Sequence, residues 1–175
     1  MAELATGHLK GVTNGAALVL GSGLGGGIII NGKLFQGSHF QAGELTFLLP
    51  LQMEKLDPSL MQETTLSAIG LITKVNEILA SLDLKDGLLA FKAINAKKEA
   101  VYPIFETYCR NLAITILNLQ TIFDMETFVL GGGISAQSIL IEEVNRQFDK
   151  VHHEIDFIGK IIKRPKIVAC HHNGT

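Results

Sequence analysis

The run Leu18-Val19-Leu20-Gly21-Ser22-Gly23-Leu24-Gly25-Gly26-Gly27-Ile28-Ile29-Ile30-Asn31-Gly32-Lys33 constrains this chain more than any other segment. Five glycines lie between two short β-forming runs, and Asn31-Gly32 adds a second, tight turn. Without a Cβ, glycine lets backbone N–H groups approach a ligand closely, and successive ones can form an anion-binding concavity. Gly21, Gly23 and Gly26 satisfy G-x-G-x-x-G, but the dinucleotide fingerprint needs a helix opening at its last glycine. Here the glycines run into Ile28-Ile29-Ile30, a β-branched trio that favours a strand. No Gly-Lys-Ser/Thr follows, so the P-loop is excluded as well. The segment predicts strand, glycine turn, strand. On glycine spacing alone, a plain hairpin that binds nothing explains it as well as a phosphate cradle does.

A chain of 175 residues that is 47% hydrophobic and 18% charged suits one domain with a real core. Its formal net charge of −2 leaves no electrostatic footprint for nucleic acid. No apolar run reaches the ~18 residues of a membrane span. Met1–Thr6 has neither the basic nor the apolar region of a secretory signal. Cys109 and Cys170, far apart in apolar settings, read as reduced structural thiols of a cytosolic protein. The pairs His152-His153 and His171-His172 lack ligand spacing and read as solvated side chains.

The pattern is β-rich first and helical later. Ala16–Leu20, Ile28–Asn31 and Lys33–Gln36 predict a three-stranded meander, and Gly37 to Pro50 a loop around Glu44. Helical periodicity marks Ser59–Ala80 (with Gly70 a candidate interruption), Asp86–Ile94, and the long stretch Lys97–Phe123. Val101, Ile104, Phe105, Tyr108, Leu112, Thr115, Ile116, Leu119 and Ile122 form the core stripe of that last helix, with Pro103 suited to its first turns. Thr127–Leu130 predicts a buried strand, followed by Gly131-Gly132-Gly133. A helix over Gln137–Val151 and a last strand over Lys166–Cys170 complete an α/β layout with some parallel pairing.

Two glycine turns, the first in a meander and the second before a helix, are joined by a loop carrying Gly37, His39 and Ala42-Gly43-Glu44. This constellation resembles the ROK family of repressors, open reading frames and sugar kinases. The matching residues are Gly21-Ser22-Gly23-Leu24-Gly25-Gly26-Gly27, Asn31-Gly32-Lys33-Leu34, the Gly37–Glu44 loop and Leu130-Gly131-Gly132-Gly133-Ile134-Ser135. The resemblance covers nearly the whole chain. It implies the actin-like ATPase (ribonuclease H-like) fold and ATP-dependent transfer of phosphate, with Mg²⁺, to a hexose, N-acetylhexosamine or β-glucoside hydroxyl. It also implies that residues 1–175 are the C-terminal lobe of a two-lobed kinase. The family's Asp-x-Gly-Gly-Thr phosphate loop and the catalytic Asp of its Asn-Asp-Ala motif would lie upstream of Met1, and a final helix beyond Thr175. None of Asp57, Asp83, Asp86, Asp124, Asp149 or Asp156 has an Asn-Asp-Ala context, so no catalytic base is expected here and this piece alone is expected to be inactive.

By the same resemblance, Gly21, Ser22 and Gly23 would offer donors to ATP phosphates, and Gly131, Gly132 and Gly133 would serve the nucleotide from beside a helix N-terminus. Glu44 would accept two sugar hydroxyls, with His39 as a further sugar contact or a support for Glu44. Many members continue Gly-Glu-x-Gly-His, where the His contacts sugar and ligates zinc. Here Phe47 stands in its place, and the family's cysteine cluster has no counterpart among two cysteines, so no zinc is expected. The expected partners are a sugar, ATP and a second copy of the chain. There is no membrane, and nucleic acid enters only in the alternative reading, the sugar-sensing effector domain of a repressor. The expected location is cytoplasmic.

Overall fold

The computed structural model describes residues 2–49, 65–154 and 156–171. A short helix α1 (Ala2–Thr6) precedes the strands β1 (Gly15–Leu20), β2 (Leu24–Ile30) and β3 (Lys33–Phe35). The helices α2 (Ala68–Ile78), α3 (Gly87–Asn95) and α4 (Tyr102–Phe123) follow, then β4 (Thr127–Gly131), α5 (Ser138–Glu154), α6 (Ile158–Ile161) and β5 (Lys166–Ala169). The strands form one mixed sheet in the order β3-β2-β1-β4-β5. β1 is antiparallel to β2 and parallel to β4, so the chain crosses over through α2–α4 to reach the other side of β1. β4, α5 and β5 then close a βαβ unit with parallel strands.

Alternation along each strand divides the two faces. Leu18 and Leu20 of β1, with Phe128 and Leu130 of β4, enter the large core under α2–α5. Val129 and Ile29 point to the opposite face, where Leu9, just after α1, covers them. Phe128, Val129 and Leu130 are all fully buried, as expected of a parallel strand covered on both sides. The helices hold the sheet through Phe105 of α4 and Phe148 of α5, both fully buried.

A polar network joins α4 to α5 at one edge. The Tyr102 hydroxyl donates to the Glu143 carboxylate at 3.0 Å, and Arg146 bridges Glu143 and Glu106. Burial alone would raise the Glu143 pKa, but donors from Arg146, Gln147 and Tyr102 outweigh it and hold the carboxyl below its ordinary value. Burial, then that same carboxylate, pushes the Tyr102 hydroxyl up to about 12.

Several sequence expectations need correction. The glycine turn is shorter than predicted: β2 begins at Leu24, and Gly25, Gly26 and Gly27 pair with Val19, Leu18 and Ala17 as strand residues. Within the described residues the expected helix Ser59–Ala80 is helical at Thr65, breaks at Leu66 and Ser67, and resumes as α2 at Ala68, where the Ser67 hydroxyl caps the Gly70 amide at 2.9 Å. Gly70 therefore sits in the first turn and interrupts nothing, while residues 59–64 lie outside the described ones. α4 starts at Tyr102 rather than Lys97, because Lys97 takes the left-handed φ of 49° that closes α3. Ile122, expected in the core stripe, is exposed.

Nor is the first histidine pair solvated throughout. His152 is 4% exposed, stacked on Phe148, with its Nε2 2.6 Å from the Ile162 carbonyl oxygen. Its place four residues after Phe148 on α5 carries it into the core, while His153 stays outside. Neither cysteine is in a disulfide. Cys109 is buried, and the Cys170 thiol donates to the Glu3 carboxylate at 2.7 Å. No helix among the described residues is long and apolar enough to cross a membrane.

Candidate functional site

β1 and β4 run parallel and side by side, so their carboxyl ends come together although they are far apart in sequence. β1 ends into Gly21 and β4 into Gly132-Gly133. Gly21 and Gly133 line one cavity of about 610 Å³. In open α/β sheets, ligands bind outside the carboxyl ends of the strands. One wall comes from Ala68, Ile69 and Ile72 of α2, another from Asp83, Lys85, Asp86, Gly87 and Leu88 at the start of α3, and Ile134 and Gln137 complete it before α5. The lining is thus largely apolar, with the charged residues Asp83, Lys85 and Asp86 added by the segment that leads into α3. The N-terminal ends of α2 and α3 both reach this space, which favours negative charge there.

The two glycine turns are built differently. At the first, the Gly21 amide donates to the Gly23 carbonyl oxygen (3.1 Å) and the Gly21 carbonyl accepts from the Ala68 amide (2.8 Å). The turn is thereby tied to α2, and the Ser22 and Gly23 amides are the donors a ligand could meet. Nothing lies within 4 Å of a Cβ built on Gly21. At the second, Gly131 is the last strand residue, and α5 opens only at Ser138, so these glycines are not at the helix terminus itself as expected. Gly132 has φ +99°, and a Cβ there would stand 2.1 Å from the Leu20 carbonyl oxygen. Close approach to β1 therefore demands this glycine, whatever else it does. Gly133 has nothing within 4 Å and faces the cavity.

Glu44 and His39 are not among the residues that line this cavity. Both are exposed, on the loop laid over β2. That loop is docked by two facing glycines. A Cβ on Gly26 would meet Leu45 Cδ1 at 2.7 Å and the Gly43 carbonyl oxygen at 2.8 Å, while one on Gly43 (φ +93°) would meet the Gly26 carbonyl oxygen at 2.4 Å. Leu45 is buried against that surface, and the Leu24 amide donates to Thr46 Oγ1 at 3.3 Å. The loop is thus fastened to β2 at Leu24, three residues from Gly21, and at Gly26. Phe47, on the same loop, is 62% exposed.

Sequence reasoning missed the α3 side of the cavity. Asp86 was legible there only as the start of a helix, and its carboxylate does cap the Leu89 amide at 2.9 Å. Among the described residues no group of three or more His, Cys, Asp or Glu side chains is arranged to hold a metal ion.

A mixed sheet in this order, with a meander, a long helical crossover and glycine turns at adjacent strand ends, defines an α/β domain of the actin-like ATPase class. The ROK family model matches residues 1–156, and the chain belongs to the ROK family. It is 29% identical over 185 residues to the N-acetyl-D-glucosamine kinase of Vibrio cholerae, covering 96% of this chain and 57% of that protein. Among solved structures, a ROK family protein from Streptococcus pneumoniae in complex with sucrose superposes with a TM-score of 0.79 at 28% identity, over 95% of this chain and 55% of the other. The ROK glucokinase of Streptomyces griseus, in complex with glucose and AMPPNP, superposes with a TM-score of 0.81 at 20% identity, over 99% and 60%. The chain therefore spans a little over half the length of these relatives.

Proposed function

We propose that this chain is the C-terminal lobe of an ATP-dependent sugar kinase, acting on a hexose, N-acetylhexosamine or β-glucoside hydroxyl. The observation that carries the reading is the opening of both glycine turns onto a single cavity at the carboxyl ends of β1 and β4. Phosphoryl transfer asks the protein mainly to position a hydroxyl in line with the γ-phosphorus and to stabilise charge spreading over the phosphoryl oxygens. In this reading the nucleoside lies in the cavity against Gly133, and the phosphates run toward the Ser22 and Gly23 amides. Glu44, on the loop docked beside that turn, orients the sugar, with His39 assisting. The catalytic base belongs to the other lobe.

Mg²⁺ would accompany the phosphates and offset their charge. It keeps much of its water and needs one or two carboxylates at most, so it requires no cage of side chains. Zinc does not fit the loop: Phe47 offers no ligand, and Cys109 is buried elsewhere. Homodimerisation through this lobe and a cytoplasmic location belong to the same proposal, and light scattering on the chain checks the first.

The test is ATP consumption over a panel of sugars, using the protein extended through its upstream lobe. Turnover with at least one sugar is expected, and Glu44→Gln should depress it far more than it weakens ATP binding. A folded, extended protein that turns over no sugar refutes the kinase reading. A helix-turn-helix upstream would favour a repressor's effector domain, with nucleic acid as its partner.

A further inference from the structure

Asn76 is fully buried on α2, on the same buried face as Leu71 and Val75. Its Nδ2 donates to the carbonyl oxygens of Leu84 (3.2 Å) and Asp86 (2.9 Å), and its backbone carbonyl accepts from the Ser81 amide (3.0 Å). One residue thus ties both ends of the connection from α2 to α3 to the core. The other hydrogen bonds of that connection are local: Ser81 pairs with Asp83, and Asp83 accepts from the Lys85 and Asp86 amides, while Leu82 is fully exposed.

Asn76 Oδ1 is buried without a hydrogen-bond partner. The amide cannot be turned over to relieve this, because the oxygen would then face two carbonyl oxygens. A buried acceptor left unpaired is unfavourable, and an apolar side chain would avoid it. What an apolar side chain cannot do is supply two donors to the loop. The loop it holds carries Asp83, Lys85 and Asp86 into the lining of the cavity that Gly21 and Gly133 also line.

We propose that Asn76 is a positioning residue for the nucleoside portion of a nucleoside triphosphate. It sets how far the α3 wall stands from the glycine turns, and hence how the nucleoside fits. Phosphate recognition at the turns does not depend on it. This inference rests on the nucleotide reading above.

The test titrates the chain calorimetrically with ATP and, separately, with inorganic tripolyphosphate, which has no nucleoside. Asn76→Ala should weaken ATP about tenfold or more, as expected for loss of two anchoring hydrogen bonds, and change tripolyphosphate by less than about twofold. Amides of residues 81–86 should exchange hydrogen faster in the same variant. Ser81→Ala, at a half-buried position of the same loop, should move ATP affinity the same way by a smaller factor. Gln120→Ala is the control. Gln120 is an equally buried amide that holds Met125 and Lys163 instead, and its loss should leave both affinities unchanged.

Equal loss of ATP and tripolyphosphate in Asn76→Ala, or the same loss in Gln120→Ala, overturns the proposal. If Asn76→Ala does not fold, a Ser81→Ala chain with no selective loss of ATP overturns it. Wild-type chain that binds neither ligand overturns the nucleotide reading and this inference together. ATP binding undiminished in every variant overturns only the inference.

Discussion

Gly132 and Gly133 are adjacent and chemically identical, yet replacing each with alanine should have opposite consequences. At Gly132 a side chain must adopt φ +99°, a conformation that costs about 1–3 kcal/mol for a non-glycine residue. Its Cβ would also lie 2.1 Å from the Leu20 carbonyl oxygen. Leu20 cannot retreat, because it is fully buried and paired to Leu24 in the sheet. The turn must move instead, loosening the 2.8 Å hydrogen bond from the Ser135 hydroxyl to the Gly132 carbonyl, worth about 1 kcal/mol. It would also expose part of Ile134, 5% exposed now, at about another 1 kcal/mol. Gly132→Ala should therefore destabilise by roughly 3–5 kcal/mol, lowering Tm by about 6–20 °C for a chain of this size. At Gly133 there is nothing within 4 Å of the new methyl, so stability should change by no more than about 0.5 kcal/mol. The effect of Gly133→Ala should fall on ATP affinity instead, because Gly133 lines the cavity. Thermal and urea unfolding followed by circular dichroism separate the two. Equal stabilities for both variants would refute the crowding account of Gly132.

Other outcomes follow from the same geometry. Glu143→Ala should cost about 2–4 kcal/mol in urea unfolding, because it strips a buried network of its acceptor, whereas Glu106→Ala, on the exposed arm of Arg146, should cost under about 1 kcal/mol. The Glu143 carboxyl is held below its ordinary value of 4.5 in the folded chain, so its stabilisation is complete above that pH and fades as pH falls through the lower folded value. Tyr102 acts oppositely: its contribution is complete below pH 10 and is lost as pH rises toward about 12, which alkaline titration of unfolding would detect. Burial pushes the Cys109 thiol up, so in the native chain a thiol reagent should modify Cys170 first and reach Cys109 only on unfolding. Asp86→Ala should cost about 1 kcal/mol by uncapping α3.

Much of the local structure was legible because it depends on neighbours along the chain. Asn31-Gly32 predicted a tight turn, and both residues take left-handed φ values of 53° and 71° between paired Ile30 and Lys33. The unbroken apolar run of β4 signalled a strand covered on both faces, and helical periodicity located α3, α4 and α5 within a few residues. The burial of His152 was also readable, since Leu140, Val144, Phe148 and His152 recur every fourth residue on one face of α5.

What sequence could not supply is the purpose of each glycine. Gly26 and Gly43 look like members of a loop motif, but each is glycine because the other's backbone lies against it. Gly132 looks like a ligand contact and is required by the Leu20 carbonyl. Asn76 looks like a polar residue on a helix face, and only the position of the next loop explains it. The amino-acid order alone determines periodicity, turns and caps, because these arise from residues within a few positions of one another. Which strand ends meet, and therefore which glycines share a cavity, was decided only in three dimensions, where β4 inserts beside β1 and brings distant backbone into contact.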